Sequence, residues 1–436
     1  MAHQDVDIVA IGAGPSNLAL GVALEELAPS SVAQRTLVLE QHSDVRWQRN
    51  LLLPWAESQV SFLKDLVTLR NPRSRFTFLN FLHEQGRLDE FINLSTFTPY
   101  RTEISAYLQW VADTLEHVRI SYDRRCTSVE PRRAADGSVE GWLVTTAGGD
   151  TVSARDLVVG TGRDPHVPEV FAGLPAERVV HSTGYLEGIA ALPKDEPHRV
   201  VVVGGAQSAA EMFRSVHDDL PRSRPTIVMR SIGFGHYQTS KFINELYYPS
   251  FIDEFHQAAP EARARILREM RQTNYAGLAP GLLEELYRMR YLQRLAGQER
   301  SQVLTMVDVV GARLDGDDIV LDLRDSKTGT VEELRCDIVL LGTGFDPRPP
   351  RLLRALMEPL GITEPAVDRG YRVDLGAASS AALYLQGVNE ETHGISDSLL
   401  SVLAQRSEHI VDDILDRRRP RSNGSSTRLV TTGGSA

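Results

Sequence analysis

Lys64 is one of only four lysines, with Lys194, Lys241 and Lys327, in a chain of 47 basic residues. It stands in Gln59-Val-Ser-Phe-Leu-Lys64-Asp-Leu-Val-Thr-Leu, between apolar neighbours. An ammonium withdrawn from water needs a carboxylate beside it. That partner is either a protein acid, with Asp65 adjacent, or the carboxylate of a bound ligand. Two glycine turns could do a second kind of chemistry. Gly12-Ala-Gly14-Pro15-Ser-Asn17 follows the apolar run Val6 to Ile11, and Gly204-Gly205-Ala206-Gln207-Ser208-Ala209 follows Val200 to Val203. A strand that turns through glycines into a helix N-terminus cradles a dinucleotide pyrophosphate on free N–H groups. Asn17 and Ala206 depart from the G-x-G-x-x-G pattern, so neither turn is a full fingerprint.

Each turn is followed by a second strand with a different last residue. Thr36-Leu-Val-Leu-Glu40 ends in an acid 23 residues after Asn17, with Gln41 beside it. An acid there suits the free ribose hydroxyls of FAD. Pro225-Thr-Ile-Val-Met-Arg230 ends in a guanidinium, which suits the 2′-phosphate of NADPH. Together the two turns imply hydride transfer onto a flavin. Cys126 and Cys336 stand far apart without a Cys-x-x-Cys pair, so a redox disulfide and a thiolate metal site are excluded as the next acceptor. Oxygen, a quinone or a protein partner remain.

The elements that must position these residues read as α/β. A first unit is expected over 1–166 and a second over 167–235 and 301–335. A mostly helical cap is expected over 236–300, a return to the first unit over 336–416, and a polar, disordered tail over 417–436. The return is inferred from a local repeat: Asp156-Leu-Val-Val-Gly160-Thr-Gly162-Arg-Asp-Pro165 against Asp337-Ile-Val-Leu-Leu-Gly342-Thr-Gly344-Phe-Asp-Pro347. Helices are expected over Phe76–Phe81, Ile104–Leu115, Glu261–Gln272, Pro280–Leu295 and Val402 to Leu415. The last of these is expected to be capped by the Ser396-Asp397-Ser398 cluster. Asn244 and Asn274, amid aromatic residues, read most simply as helix caps. The net charge of −11 with no basic block before Arg417 argues against nucleic acid. No apolar run is long enough to span a bilayer, and the first strand begins almost at Met1, so a cytoplasmic protein is expected.

Several separate stretches resemble the microbial N-hydroxylating flavin monooxygenases, the L-ornithine N(5)- and L-lysine N(6)-monooxygenases. They are Gly-Ala-Gly-Pro-Ser-Asn-Leu, the Lys64 stretch, Pro-Tyr-Arg101, Gly-Gly-Ala-Gln-Ser-Ala-Ala-Glu, Phe-Ile-Asn244-Glu, Thr-Asn274-Tyr and Thr-His-Gly-Ile-Ser-Asp-Ser-Leu-Leu-Ser401, in order from about residue 5 to 412. The resemblance implies two Rossmann-like domains, the NADPH domain inserted in the FAD domain, with a helical substrate cap. It implies that NADPH reduces FAD, that O2 adds at the flavin C4a as a hydroperoxide, and that the neutral side-chain amine of L-ornithine takes the distal oxygen. The flavin carries the oxygen chemistry, so no protein residue is assigned a catalytic role. Lys64 would hold the substrate α-carboxylate, with Asn244, Asn274, Leu399 and Ser401 also around the substrate. Trp47 and Gln59 would neighbour the flavin, while Arg101, Gln207, Ser208 and Arg230 would lie on the NADPH side. A homo-oligomer, tetramer or dimer, is a further expectation. Three positions depart from the family pattern: Gly184 where a basic residue is common, Ala206 for glycine, and Gln48 for histidine. An L-lysine hydroxylase is the first alternative, and a flavin reductase or electron-transfer protein the second.

Overall fold

The computed structural model describes residues 2–238, 240–275 and 277–419. The expected tail from 420 onward lies outside the described residues. Two mainly parallel sheets dominate. In the first, the order is Arg119–Ser121, Thr36–Leu39, His3–Ile11, Thr151–Val159, Val139–Thr146, Cys126–Arg133, and Ala382–Leu385 also pairs with Thr151–Val159. Alternate residues of its central strands face two separate apolar cores, as the pleat requires. Ile8, Ala10 and Val158 pack on Leu18 and Val22 of the helix Pro15–Leu27 and on Ile410 and Ile414 of the helix Leu403–Arg418. Val9, Ile11 and Leu157 pack on Leu353 and Leu356 of the helix Arg351–Leu360.

The second sheet runs Gln302–Thr305, Arg224–Met229, Arg199–Val203, Ile338–Leu341, Val179–His181, all parallel. One face is covered by the helix Gln207–Asp219 and by Leu282 and Leu286 of the helix Pro280–Leu295. The other is covered by an antiparallel sheet, Val307–Asp315, Asp318–Asp325 and Val331–Cys336. The expected cap therefore divides. Pro280–Leu295 is a crossover helix of the second sheet, while Lys241–Glu245, Phe251–Gln257 and Pro260–Asn274 stand apart from it.

The expected return at 336 is corrected by strand pairing. Ile338–Leu341 lies between Arg199–Val203 and Val179–His181, in register Ile338↔Val200, so it belongs to the second unit. The chain re-enters the first unit only beyond Gly344. There the outgoing and incoming segments run together: His166 N donates to Gly344 O at 3.0 Å and Asp346 N to Asp164 O at 2.8 Å. The two Gly-Thr-Gly exits are thus one per sheet, meeting at the crossing between units.

The chain's last described turn differs too. The terminal helix runs to Arg418, past the expected Leu415. Arg417 and Arg418 reach the buried Asp156 carboxylate at 3.1 and 3.0 Å, so this basic stretch is an anchor. A buried carboxylate requires such a partner, and cations suit a helix C-terminus.

Candidate functional site

Both glycine turns have the geometry of a phosphate cradle. Gly12 has φ +90°, and a Cβ on it would lie 3.1 Å from Gly160 O. Gly14 is the N-cap of Pro15–Leu27 and Pro15 its first residue; no side chain caps the helix, so its first N–H groups are left for an anion. Asn17 takes the third motif position for a structural reason. Its Nδ2 donates to Ile11 O at 3.0 Å and Gly12 O at 2.8 Å, and its Oδ1 accepts from Gln386 at 2.8 Å. It fills the space over Gly160, where an added Cβ would sit 2.6 Å from Nδ2. Glu40 follows directly on its strand. Its two oxygens accept from Ala13 N at 2.7 Å and His42 N at 3.0 Å, leaving acceptor capacity for ribose hydroxyls. Gln41 is exposed beside it.

The second turn repeats this logic. Gly204 has φ +138°, and a Cβ there would meet Gly342 O at 2.4 Å; Gly342 in turn faces Ala209. Ala206 caps Gln207–Asp219 with φ −110°, a conformation open to any residue, so alanine in place of glycine strains nothing. Gln207 accepts from Ala279 N at 2.9 Å and donates to Glu211 at 2.7 Å. Ser208 is half-buried on the first turn, and Arg230 is exposed immediately beyond Met229. The residues present fit two dinucleotides, one at each turn.

Lys64 lines a narrow cleft with Ser58, Ser61, Phe62, Ile104 and Leu400. Burial pushes its ammonium pKa down, and among the described residues no carboxylate pairs with it. Asp65 is not the missing partner. Its carboxylate accepts from Val67 N, Thr68 N, Thr68 Oγ1 and Phe78 N, at 2.9, 2.6, 2.7 and 2.7 Å. Burial pushes the Asp65 carboxyl up while these four bonds oppose it.

The other expected residues gather nearby. Leu399 packs with Leu246, Tyr247 and Met270 in a small apolar cluster. This ties the helix Lys241–Glu245, the end of Pro260–Asn274 and the 395–401 segment together. Ser401 is buried, and Leu400, like Phe62, packs on the first core while lining the Lys64 cleft. Tyr275, next to Asn274, bonds to Glu390 and, at 3.1 Å, to Ser398. Glu390 is paired with Arg163 at 3.3 Å. Neither Asn244 nor Asn274 is a cap: Ser240 caps the first helix, Ala259 and Tyr275 flank the second. Gln59 accepts from Tyr237 Oη at 2.8 Å, and Trp47 is half-buried against the first core, its backbone N–H donating to Ser105 Oγ at 3.2 Å. Gln48 is left-handed, with φ +53°.

Arg101, expected on the NADPH side, has its guanidinium paired with Glu211 of the helix that opens at the second glycine turn. One expectation differs in the structure. The Ser396-Asp397-Ser398 cluster does not cap the terminal helix, which starts at Leu403 after two short 3-10 turns. Asp397 instead pairs with Arg406 at 3.0 Å, and Arg406 donates to Ser16 Oγ at 2.7 Å. Arg406 was invisible in the sequence because nothing in its helix period marks a buried cation.

Comparison with known proteins gives the same picture. The model of the L-lysine 6-monooxygenase/L-ornithine 5-monooxygenase family matches residues 4–347. An L-ornithine N(5)-monooxygenase of Pseudomonas aeruginosa is 37% identical over 433 residues, covering 97% of this chain and 96% of the relative. The solved ornithine N-hydroxylase of Kutzneria sp. 744, with reduced FAD, NADP+ and L-ornithine, superposes with a TM-score of 0.88 at 36% identity, covering 95% of this chain and all of the other. An L-lysine 6-monooxygenase from Pseudomonas syringae superposes with a TM-score of 0.83 at 31% identity, covering 95% of this chain and 100% of the other. The chain therefore belongs to the L-lysine 6-monooxygenase/L-ornithine 5-monooxygenase family.

Proposed function

We propose that the protein uses FAD and NADPH to hydroxylate the side-chain amine of L-ornithine with O2, giving N(5)-hydroxyornithine, NADP+ and water. The observation that carries this reading is the half-buried Lys64 ammonium, unpaired among the described residues and beside the 398–401 segment. Bound FAD, reduced by NADPH, supplies the activated oxygen. The chain's own residues bind and orient. Gly12, Gly14, Pro15 and Glu40 hold the FAD diphosphate and ribose, and Gly204, Gln207, Ser208 and Arg230 hold NADPH. Lys64 takes the α-carboxylate, and the amides of Asn244 and Asn274, without protein partners among the described residues, supply neutral hydrogen bonds. Phe62 and Leu400 wall the carboxylate end beside Lys64, and Leu399, packed with Leu246, Tyr247 and Met270, keeps water from the amine end, where water would divert the oxygen to peroxide. Ornithine is preferred to lysine because the cited ornithine enzymes are 36–37% identical and the lysine enzyme 31%. The product suits hydroxamate siderophores or related secondary metabolites. A cytoplasmic setting fits the two free cysteines.

Mass spectrometry after incubation of the FAD-loaded protein with NADPH and ornithine, lysine or putrescine tests the assignment. One added oxygen is expected on ornithine, little on lysine, none on putrescine. Flavin reduction without an oxygenated amine would make the protein a reductase. Arg230→Ala is expected to lower the preference for NADPH over NADH by about tenfold or more, since a charge-assisted bond contributes about 1.5–3 kcal/mol. An unchanged ratio of kcat/KM for the two nucleotides would remove Arg230 from the 2′-phosphate.

A further inference from the structure

The helix Arg101–Thr114 belongs to the first unit, and the helix Gln207–Asp219 opens at the second glycine turn. Between them Arg101 grips Glu211 with both terminal nitrogens, Nη1 to Oε2 at 2.9 Å and Nη2 to Oε1. The two side chains are 6% and 0% exposed. Glu211 also accepts from Gln207, whose carbonyl holds Ala279 N. On the other side, Arg101 N donates to Ala56 O at 2.8 Å, three residues before Gln59. Gln59 is itself tied across the seam to Tyr237. The close approach of 236–237 to 277 that this tie needs is possible only at glycine: a Cβ on Gly277 would lie 2.5 Å from Tyr237 N. These bonds, with the three-residue step of backbone from Ala56 to Gln59, link a flavin-side residue, Gln59, to an NADPH-side residue, Gln207.

A buried ion pair is a poor way to gain stability, because desolvation offsets the attraction and apolar replacements often hold equally well. What it fixes well is geometry, through two parallel bonds to a planar fork. We propose that Glu211 is a positioning residue for hydride transfer: through Arg101 it sets the angle between the two nucleotide units, and through Gln207 it sets the turn that receives NADPH. Hydride transfer demands close alignment of donor and acceptor, so a small rotation between units slows it even when both nucleotides are bound. This rests on the two-nucleotide part of the proposed function and not on the identity of the amine.

The test uses the FAD-loaded protein as Glu211→Gln and as the double variant Arg101→Met/Glu211→Leu. Anaerobic flavin reduction at saturating NADPH, amide hydrogen exchange without NADPH, and Tm are measured. Glu211→Gln is expected to slow reduction at least tenfold and to speed exchange at the start of both helices. The double variant is expected to recover Tm but not the reduction rate, which separates positioning from simple support. Wild-type reduction in either variant overturns the proposal, and should Glu211→Gln fail to fold, the double variant decides alone. A wild-type protein that reduces FAD normally but hydroxylates no amine would defeat the ornithine assignment and leave this test intact. Wild-type FAD that NADPH cannot reduce would overturn both.

Discussion

Lys64→Ala is expected to raise the KM for L-ornithine between tenfold and a hundredfold, with flavin reduction by NADPH close to the wild-type rate. The lysine lies in the first unit, in a cleft bounded by Phe62, Ile104 and Leu400, away from both glycine turns. A hydrogen bond to a charged group contributes about 1.5–3 kcal/mol, and about 1.4 kcal/mol is a factor of ten. The ammonium is desolvated and has no protein carboxylate among the described residues, so a ligand carboxylate meets little competition. Lys64→Arg is expected to rescue poorly, since a planar fork does not fit where a compact ammonium sat. The pH dependence has a definite sign. Burial lowers the Lys64 pKa in the free enzyme, whereas a bound carboxylate favours the charged form, so binding is coupled to holding a proton. Ornithine affinity should therefore weaken as pH rises through that lowered pKa, and the alanine variant should lose this limb. An ornithine KM unchanged by the alanine substitution would sink the assignment of Lys64, and with it the observation on which the substrate rests.

What could be read from the chain divides by distance along it. Each glycine turn is a strand, a turn and a helix start within some twenty residues, with the residue just after the next strand, Glu40 or Arg230, one helix further on, so both units were legible as strand–turn–helix–strand segments. The second Gly-Thr-Gly was legible as a repeat but not as a member of a particular sheet. Its placement depends on Ile338 pairing with Val200 and on Gly342 facing Ala209, contacts more than a hundred residues apart. The helix Pro280–Leu295 showed its apolar period, but nothing local said that Leu282 and Leu286 face Phe213 rather than a substrate. Lys64 was legible as a half-buried cation. Its lack of a partner was not, because Asp65 is engaged in part by Phe78, thirteen residues on. Arg101 was legible as a residue for the NADPH side only through the resemblance; its protein partner, a carboxylate 110 residues away, was not legible at all.

Asp397→Ala is expected to remove about 3–5 kcal/mol of stability and to release FAD, because it strands a buried cation. Asp397 and Arg406 have side chains 0% and 1% exposed. Arg406 Nη1 donates to the Asp397 carbonyl at 2.6 Å and to its carboxylate at 3.0 Å, while Nη2 reaches Ser16. The second carboxylate oxygen accepts from Asn389 N at 2.7 Å, and Asn389 Nδ2 donates to Leu385 O at 2.7 Å. One carboxylate thus joins four parts of the first unit: the end of the strand Ala382–Leu385, the turn Ile395–Ser398, the terminal helix, and the first turn of the helix Pro15–Leu27. Ser16 adjoins the proposed FAD cradle, where the helix dipole is positive and an unneutralised guanidinium is doubly unfavourable. Asp397→Asn keeps an acceptor of the same shape and should lose less, so the difference between the two variants measures the charge. Urea unfolding of the FAD-loaded protein, followed by flavin fluorescence, gives both values. A loss below about 1 kcal/mol for the alanine variant would show that water reaches Arg406 in its place. In that case the buried pair would not be what holds the 395–401 segment, and Leu399 and Ser401 with it, against the first nucleotide turn.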